Sequence, residues 1–359
     1  MRYYSLEIRN AAGQMLQVEK SGLGFAWSDA NQGATFSSTW TPWQTTSRQL
    51  VGQPNPSALN IYADLPVAPY HTPQGGSFVR IWGLGLQCLG QASDLNPVDN
   101  VFKTFVLRAG MSKGLPLANP NQAGIVAQGL IYQAFGNWTG TEQTLDLILM
   151  PGSGPTNSDV PISWNWARGQ SLQSALQQMM TQAFPTYTAN INISANLIAP
   201  SDQHGVYVSI AAFAKWLNAY TRKLGAQTNG SGYTGVMIAP FGTGIYAWDG
   251  AGPVKPKTVA LQFQDLIGQP SWLEANTVLF QTTLRGDINW NDRVTFPTGV
   301  MPPFALTTPA AVYPNSPTAS KSAFQGTFIV NKELHHYANF RQDDAESWNT
   351  TFVCSYIKP

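Results

Sequence analysis

The chain has 359 residues, too many for one small core, and a net charge of +1, which speaks against a basic nucleic-acid footprint and against charge-driven binding to an anionic membrane. Only 11% of its residues are charged, against about 25% in an ordinary soluble domain, so its surface is expected either to be covered by partner subunits or to be kept wet by Ser, Thr, Asn and Gln. No apolar run reaches the roughly 18 residues of a membrane span, the N-terminus lacks a signal-peptide layout, and Cys88 and Cys354 stand in apolar, strand-like contexts that predict buried free thiols.

In chain order, residues 1–151 read as β-rich and without a helix. Residues 4–9 and 15–18 flank Ala12-Gly13 as a hairpin. Residues 28–53, rich in Thr, Ser, Gln and aromatics, read as a loop or a strand plus loop. Further strands are predicted at 58–63, 77–89, 101–109, 125–135 and 144–150, with Gly129 and Gly136 marking bulges or bends. The Pro, Gly and Ser of residues 151–158 mark a domain boundary. After it, Ile162, Trp164 and Trp166 alternate as one strand. Ser171 caps a helix whose apolar Leu172, Ala175, Leu176, Met179, Met180 and Ala183 keep the helical period until Pro185. Residues 191–198 read as a strand and 208–224 as a second helix ended by Gly225. A polar, Gly-rich linker at 227–232 follows, then strands at 236–239 and 244–248. The Pro-rich residues 302–317 are expected as a surface loop, and 324–335 and 348–357 as a strand pair.

Residues 257–297 organise the rest. Two alternating stretches, 258–263 and 276–284, read as strands with one wet face. Between them Leu266, Ile267, Trp272 and Leu273 are too apolar for water, so the connection is expected to fold back onto the sheet with Trp272 and Leu273 as anchors. The second strand ends in Arg285-Gly286-Asp287, turns through Asn291-Asp292 and restarts over 293–296.

This succession of strand, Asp-Leu-Ile-Gly-Gln-Pro-x-Trp, strand, Leu-Arg-x-Asp-Ile, turn and short strand closing on Pro297 resembles the central baseplate hub proteins of long-tailed bacteriophages. That family is related in architecture to phage late-control proteins and to the spike hub of type VI secretion. Phe184-Pro185, Phe324-Gln325-Gly326-Thr327-Phe328, His336, Phe340-Arg341 and Asp344-Ala345-Glu346-Ser347-Trp348 extend the likeness, which is clear over the last two thirds and loose over the first. Where the family often has Gly in the turn, this chain has Asn291, which tolerates the same backbone.

The resemblance implies a mainly β (α+β) fold, with two tube-like β-barrel domains at residues 1–152 and 229–359 and a small α/β module at 153–228. It implies a structural protein of the virion tail baseplate, made in the bacterial host cytoplasm, with no catalytic residue, cofactor, metal or membrane anchor. The expected assembly is a homotrimer between the tail tube protein and the central spike, touching baseplate wedge and tape-measure proteins and passing DNA without specific binding. Arg285, Asp287, Arg341 and Asp344 are then candidate ion pairs that fix loop register, and Trp348 is a further interface candidate.

A faint internal repeat fits two like units per chain: residues 74–79 resemble 325–329, and 103–106 resemble 350–353. Chemistry finds less support. Asp287, Asn289 and Asn291 open with calcium-loop spacing, but Asp292 stands where Gly is wanted and Thr298 where Glu is wanted. Adjacent His335 and His336 on a strand point to opposite faces and cannot share one ion. With Asp343, Asp344 and Glu346 they read as a solvated loop beside one packed His. Phosphate-cradling loops and nucleophile elbows are absent. The alternative reading is a carbohydrate-binding β-sandwich in which Trp40, Trp43, Trp138, Trp164 and Trp166 form a stacking platform.

Overall fold

The computed structural model describes residues 2–10, 15–21, 24–28, 36–39, 54–55, 58–67, 77–99, 101–111, 119–151, 161–185, 187–228, 233–241, 244–253, 256–274, 276–297, 324, 326–340 and 347–357. Strands in the first part are β1 (Arg2–Arg9), β2 (Met15–Ser21), β3 (Gly24–Ser28), β4 (Phe36–Ser37), β5 (Asn60–Val67), β6 (Ser77–Trp82), β7 (Thr104–Met111), β8 (Gly124–Thr139) and β9 (Glu142–Pro151), with a short helix α1 (Leu86–Gly90) after β6. The middle part holds β10 (Ile162–Trp166), α2 (Leu172–Ala183), β11 (Thr188–Asn192), β12 (Gln203–Tyr207), α3 (Ile210–Thr228), β13 (Met237–Phe241) and β14 (Gly244–Trp248). The last part holds β15 (Thr258–Ala260), β16 (Ser271–Glu274), β17 (Thr277–Thr283), β18 (Arg293–Thr295), β19 (Thr327–Asn339) and β20 (Trp348–Ile357).

The chain is mainly β, as expected. Its first and last parts, however, share one sheet in the order β16-β17-β20-β19-β5-β6-β9-β8-β7-β1-β2-β3, with β4, β15 and β18 attached off this path. The path has two ends, so among the described residues no pairing closes it into the expected barrels. The reason is local: β19 pairs with β5, from Leu334 opposite Val67 to Asn339 opposite Tyr62, and this takes up edges that either strand set would need to close on itself.

The sheet contains a repeat. β5 to β9 lie in space as β5-β6-β9-β8-β7, every neighbour antiparallel. β16 to β20 lie as β16-β17-β20-β19-β18, again all antiparallel. The fourth strand of each set carries a bulge against the fifth, at Tyr132 in β8 and at Asn331-Lys332 in β19. The short sequence matches noted above do not trace this repeat. Ser77 to Val79 lie on a second strand and Thr327 to Ile329 on a fourth; Thr104 to Val106 lie on a third strand and Thr351 to Val353 on a fifth. Alternating β-branched and aromatic residues suit any half-buried strand, so such fragments recur without common position.

Three cores result. One lies under β1 and β5 to β9 and takes in Leu284, Ala338 and Trp348 from the last part. Another fills the last part around Phe280, Phe296, Phe328 and Phe352, where the Phe280 and Phe352 rings stack with centroids 4.9 Å apart. The third belongs to the α/β part: Trp164 and Trp166 are fully buried against Phe213, Trp216 and Tyr220. Ser171 caps α2 as read, its Oγ accepting the Ser174 N–H at 3.3 Å. The strand predicted at 191–198 ends early, at Asn192, and β12 was not foreseen. β13 and β14 belong here too, because β14 pairs in parallel with β11 and Ile238, Ile245 and Ala247 bury in this core.

The predicted strand 77–89 is also divided. Gly83, at φ +92°, ends β6, and the chain turns into α1 with Cys88 and Leu89 buried. Helix α1 reaches the sheet through Gly136, where a Cβ would stand 2.3 Å from the Leu89 carbonyl oxygen. That glycine marks a close approach rather than a bulge. The hairpin over Ala12-Gly13, residues 40–53, the boundary loop 152–158, the linker 229–232 and the Pro-rich segment 302–317 lie outside the described residues.

Candidate assembly site at the seam of the two strand sets

The organising stretch folds back on the sheet as expected. After β15 a short 3-10 turn, Phe263–Asp265, leads to Ile267, whose N–H donates to the Gln281 carbonyl at 2.9 Å, and β16 then pairs with β17. Trp272 anchors it by stacking on Phe324, with centroids 5.4 Å apart. Leu273 does not. Neighbours on a strand face opposite ways, and Leu273 is 55% exposed. Asn291 takes the left-handed turn position at φ +70°.

Arg285 and Asp287, two of the four residues read as candidates for ion pairs, pair with each other within one chain. Arg285 Nε donates to Asp287 Oδ1 at 2.7 Å and Nη2 to Oδ2 at 2.8 Å, a bidentate pair with the arginine side chain only 2% exposed. Lys257 Nζ donates to the Asp287 carbonyl oxygen. Asp265, which sequence reasoning placed at no site, lies 3.7 Å from Arg285 Nη1. It also accepts from Gln122 Nε2 at 2.7 Å, which ties the network to the first strand set. Beside it the Gly286 N–H donates to the Gln122 carbonyl at 2.9 Å, and a Cβ on Gly124 would stand 2.8 Å from the Gly286 carbonyl oxygen. The two backbones touch because neither residue has a side chain.

Trp348 crosses the same seam. Its indole N–H donates to the Gly110 carbonyl at 3.0 Å, and the Arg2 guanidinium stands 5.6 Å from its ring centroid. Arg2 in turn donates to the Asn339 carbonyl and to Ser347 Oγ. At the β19–β5 joint, His335 Nε2 lies 2.6 Å from Asp64 Oδ1. Arg341 and Asp344 lie outside the described residues.

No protein-family model matches the chain, and no curated protein matches it. Three solved structures that resemble it are tail and secretion-system proteins. The 43 kDa tail protein of prophage MuSo2 from Shewanella oneidensis gives a TM-score of 0.47 at 7% identity, over 99% of this chain and 98% of its own. A tail protein from Neisseria meningitidis MC58 gives 0.45 at 9% identity, over 98% and 96%. A type VI secretion component from E. coli, described as similar in structure to the T4 bacteriophage tail proteins gp27 and gp5, gives 0.46 at 8% identity, over 84% and 73%.

The aromatic-platform reading loses two of its five members, since Trp164 and Trp166 are core residues. Trp138 is exposed, and Trp40 and Trp43 lie outside the described residues. Among the described residues no group of three His, Cys, Asp or Glu side chains is placed to hold a metal ion, and no helix is long and apolar enough to cross a membrane. Both cysteines are free and buried, and burial raises both thiols, Cys88 to about 11.

The histidine pair divides as strand geometry requires. His336 is buried, its Nδ1 3.0 Å from Thr350 Oγ1, and that hydroxyl also accepts the Arg285 N–H at 3.2 Å. Burial, with a smaller effect from His335, pushes its pKa down from 6.5 to about 3. The unfolded chain therefore takes up this proton near pH 6.5 while the folded chain does not until about pH 3, so stability falls as pH drops through that window. Unfolding free energies from denaturant titration are expected to decline from pH 6.5 downward, by roughly 1 kcal/mol per pH unit for this group. His336→Gln should flatten the slope between pH 6.5 and 5, where carboxylates contribute little. An unchanged slope in that variant would refute the assignment.

Proposed function

We propose that this chain is a structural component of a phage tail baseplate: a trimeric central hub that adapts a sixfold tail tube to a threefold spike and lines the channel for genome ejection. The observation that carries the reading is the five-strand order found twice in one polypeptide. Three copies of a chain with two like units offer six similar surfaces to a sixfold partner, while the chain as a whole keeps threefold symmetry for another. The sequence resemblance over residues 257–297 and 324–348 supports the same reading. The tube-like units fall within residues 1–152 and 229–359, and the α/β module of 153–228, together with β13 and β14, packs as a separate core that suits contact with a spike or a peripheral protein.

Composition agrees with a channel. A lumen rich in Lys and Arg would hold DNA phosphates by counterion release, and a chain with 11% charged residues and a net charge of +1 has little means to do so. The tail tube protein would meet one face, the spike the other, wedge proteins the outside and the tape-measure protein the lumen. Multi-angle light scattering at micromolar concentration is expected to give three times the 39.0 kDa chain mass, alone or with tube or spike protein added. A single-chain mass under all those conditions would overturn the proposal.

A further inference from the structure

The joint between the strand sets inside one chain has a counterpart, among the described residues, in two unpaired edges: β16 at one end of the sheet and the part of β8 beyond its pairing with β7. We propose that the distal edge of β8, residues 135–139, pairs antiparallel with β16 of a second copy of this chain, repeating between copies the joint that β19 and β5 make within one. The inference deepens the hub reading and rests on it for the number of copies.

The repeat supplies the register. Aligning the two sets on the fourth-strand bulge puts Ile131 with Val330 and residues 133–139 with 333–339. The same ladders carry β5 onto β16, so that Asp64 falls with Ser271 and Leu65 with Trp272; β16 bulges between Trp272 and Glu274, and counting along its own backbone past Trp272 puts Pro66 with Leu273. In the internal joint His335 stands opposite Pro66 and His336 opposite Leu65. Transferred to the open edges, Phe135 stands opposite Leu273 and Gly136 opposite Trp272.

Among the described residues neither edge has a strand beside it. β16 is an end of the sheet path, and β7 runs out opposite Leu130, after which the 3-10 turn Ala92–Leu95 and Asn96 reach β8 only as far as Ala134. Hydrogen-bond parity agrees. The Phe340 N–H donates to the Ile61 carbonyl in the internal ladder, so the even residues 334, 336 and 338 are those that bond to β5. The hairpin pairing of Thr139 with Glu142 likewise turns the N–H groups of Ala134, Gly136 and Trp138 away from β9. Asn96 Oδ1 accepts the first at 2.6 Å, leaving those of Gly136 and Trp138 toward the open edge.

The side chains fit a covered edge. Phe135 is 37% exposed and Trp138 65%, and Leu273 on the opposite edge is 55% exposed. An unpaired edge flanked by apolar groups is a template for another strand. Phe135 and Leu273, opposite each other at a non-hydrogen-bonded position, would bury one another. The contact is head-to-tail, since a first-set edge meets a second-set edge, and under the threefold symmetry of the hub reading it closes into a ring of three.

Two measurements test this. The double variant Phe135→Cys with Leu273→Cys should form a disulfide between copies on mild oxidation, because facing non-hydrogen-bonded pairs meet the distance a disulfide needs. On a non-reducing gel the expected product is a covalent species of three chains, absent from either single variant, with the buried Cys88 and Cys354 silent. Phe135→Lys, at an exposed position where folding is not at risk, should weaken self-association about tenfold or more. If light scattering shows a trimer that neither forms this cross-link nor responds to Phe135→Lys, the strand joint is wrong and the hub reading survives. A chain that stays single at every concentration and beside its partners overturns both.

Discussion

Asp287→Ala is expected to destabilise the fold by about 3–5 kcal/mol, toward the lower end because the carboxylate keeps some contact with water. The cause is the arginine left behind. Arg285 is among the largest fully buried side chains in the protein, and its Nε and Nη2 both donate to Asp287. Asp265 lies close enough to attract it but too far to replace that bidentate pair. Removing both partners tells the contribution of the pair from the cost of an orphaned charge. Arg285→Met with Asp287→Leu should lose far less than either single change, since well-packed apolar replacements of a buried pair are often near neutral. Urea unfolding of the four proteins in the cycle gives the coupling. Additive losses would mean that the two side chains act independently.

That pair was legible because Arg285 and Asp287 sit in a motif, two residues apart at a strand end. Asp265 was not, since the residues before it read as a strand running straight through, and its value comes from Gln122, more than a hundred positions away. Leu273 was misjudged for a simpler reason. Its apolarity is visible in the sequence, but which face it takes depends on the pairing of β16 with β17. Helix α1 was hidden in an apolar run that suits strand and helix alike, and what distinguishes it is Leu89 meeting Gly136 across the fold.

The repeat was the least legible feature. Val79 and Phe280 occupy equivalent buried places, as do Ile81 and Thr282, yet neither pair shares an identity. Burial and pairing order were kept while residue identity was free to drift, so like fragments of the sequence fall on strands that are not equivalent. The overall class, by contrast, follows from alternation and from punctuation by Gly and Pro, both local properties.

Trp348→Ala should cost about 3–5 kcal/mol, and its effect should reach both strand sets. The residue opens β20, a strand of the second set, yet its ring belongs to the core under the first, beside Phe340 at 6.1 Å between centroids. Truncation leaves a cavity there, strips the Gly110 carbonyl of its donor and removes the surface over which Arg2 lies. Trp348→Phe keeps most of the packing and loses the N–H, so it should cost about 1 kcal/mol. Native-state hydrogen exchange separates a shared seam from two independent units. Because the ring joins one set's strand to the other set's core, the alanine variant should speed exchange in β1 and β7 as well as in β17 and β20. Protection lost from β17 and β20 alone, with β1 and β7 as slow as before, would mean that the first set stands without its neighbour and that the seam is a contact rather than a common core.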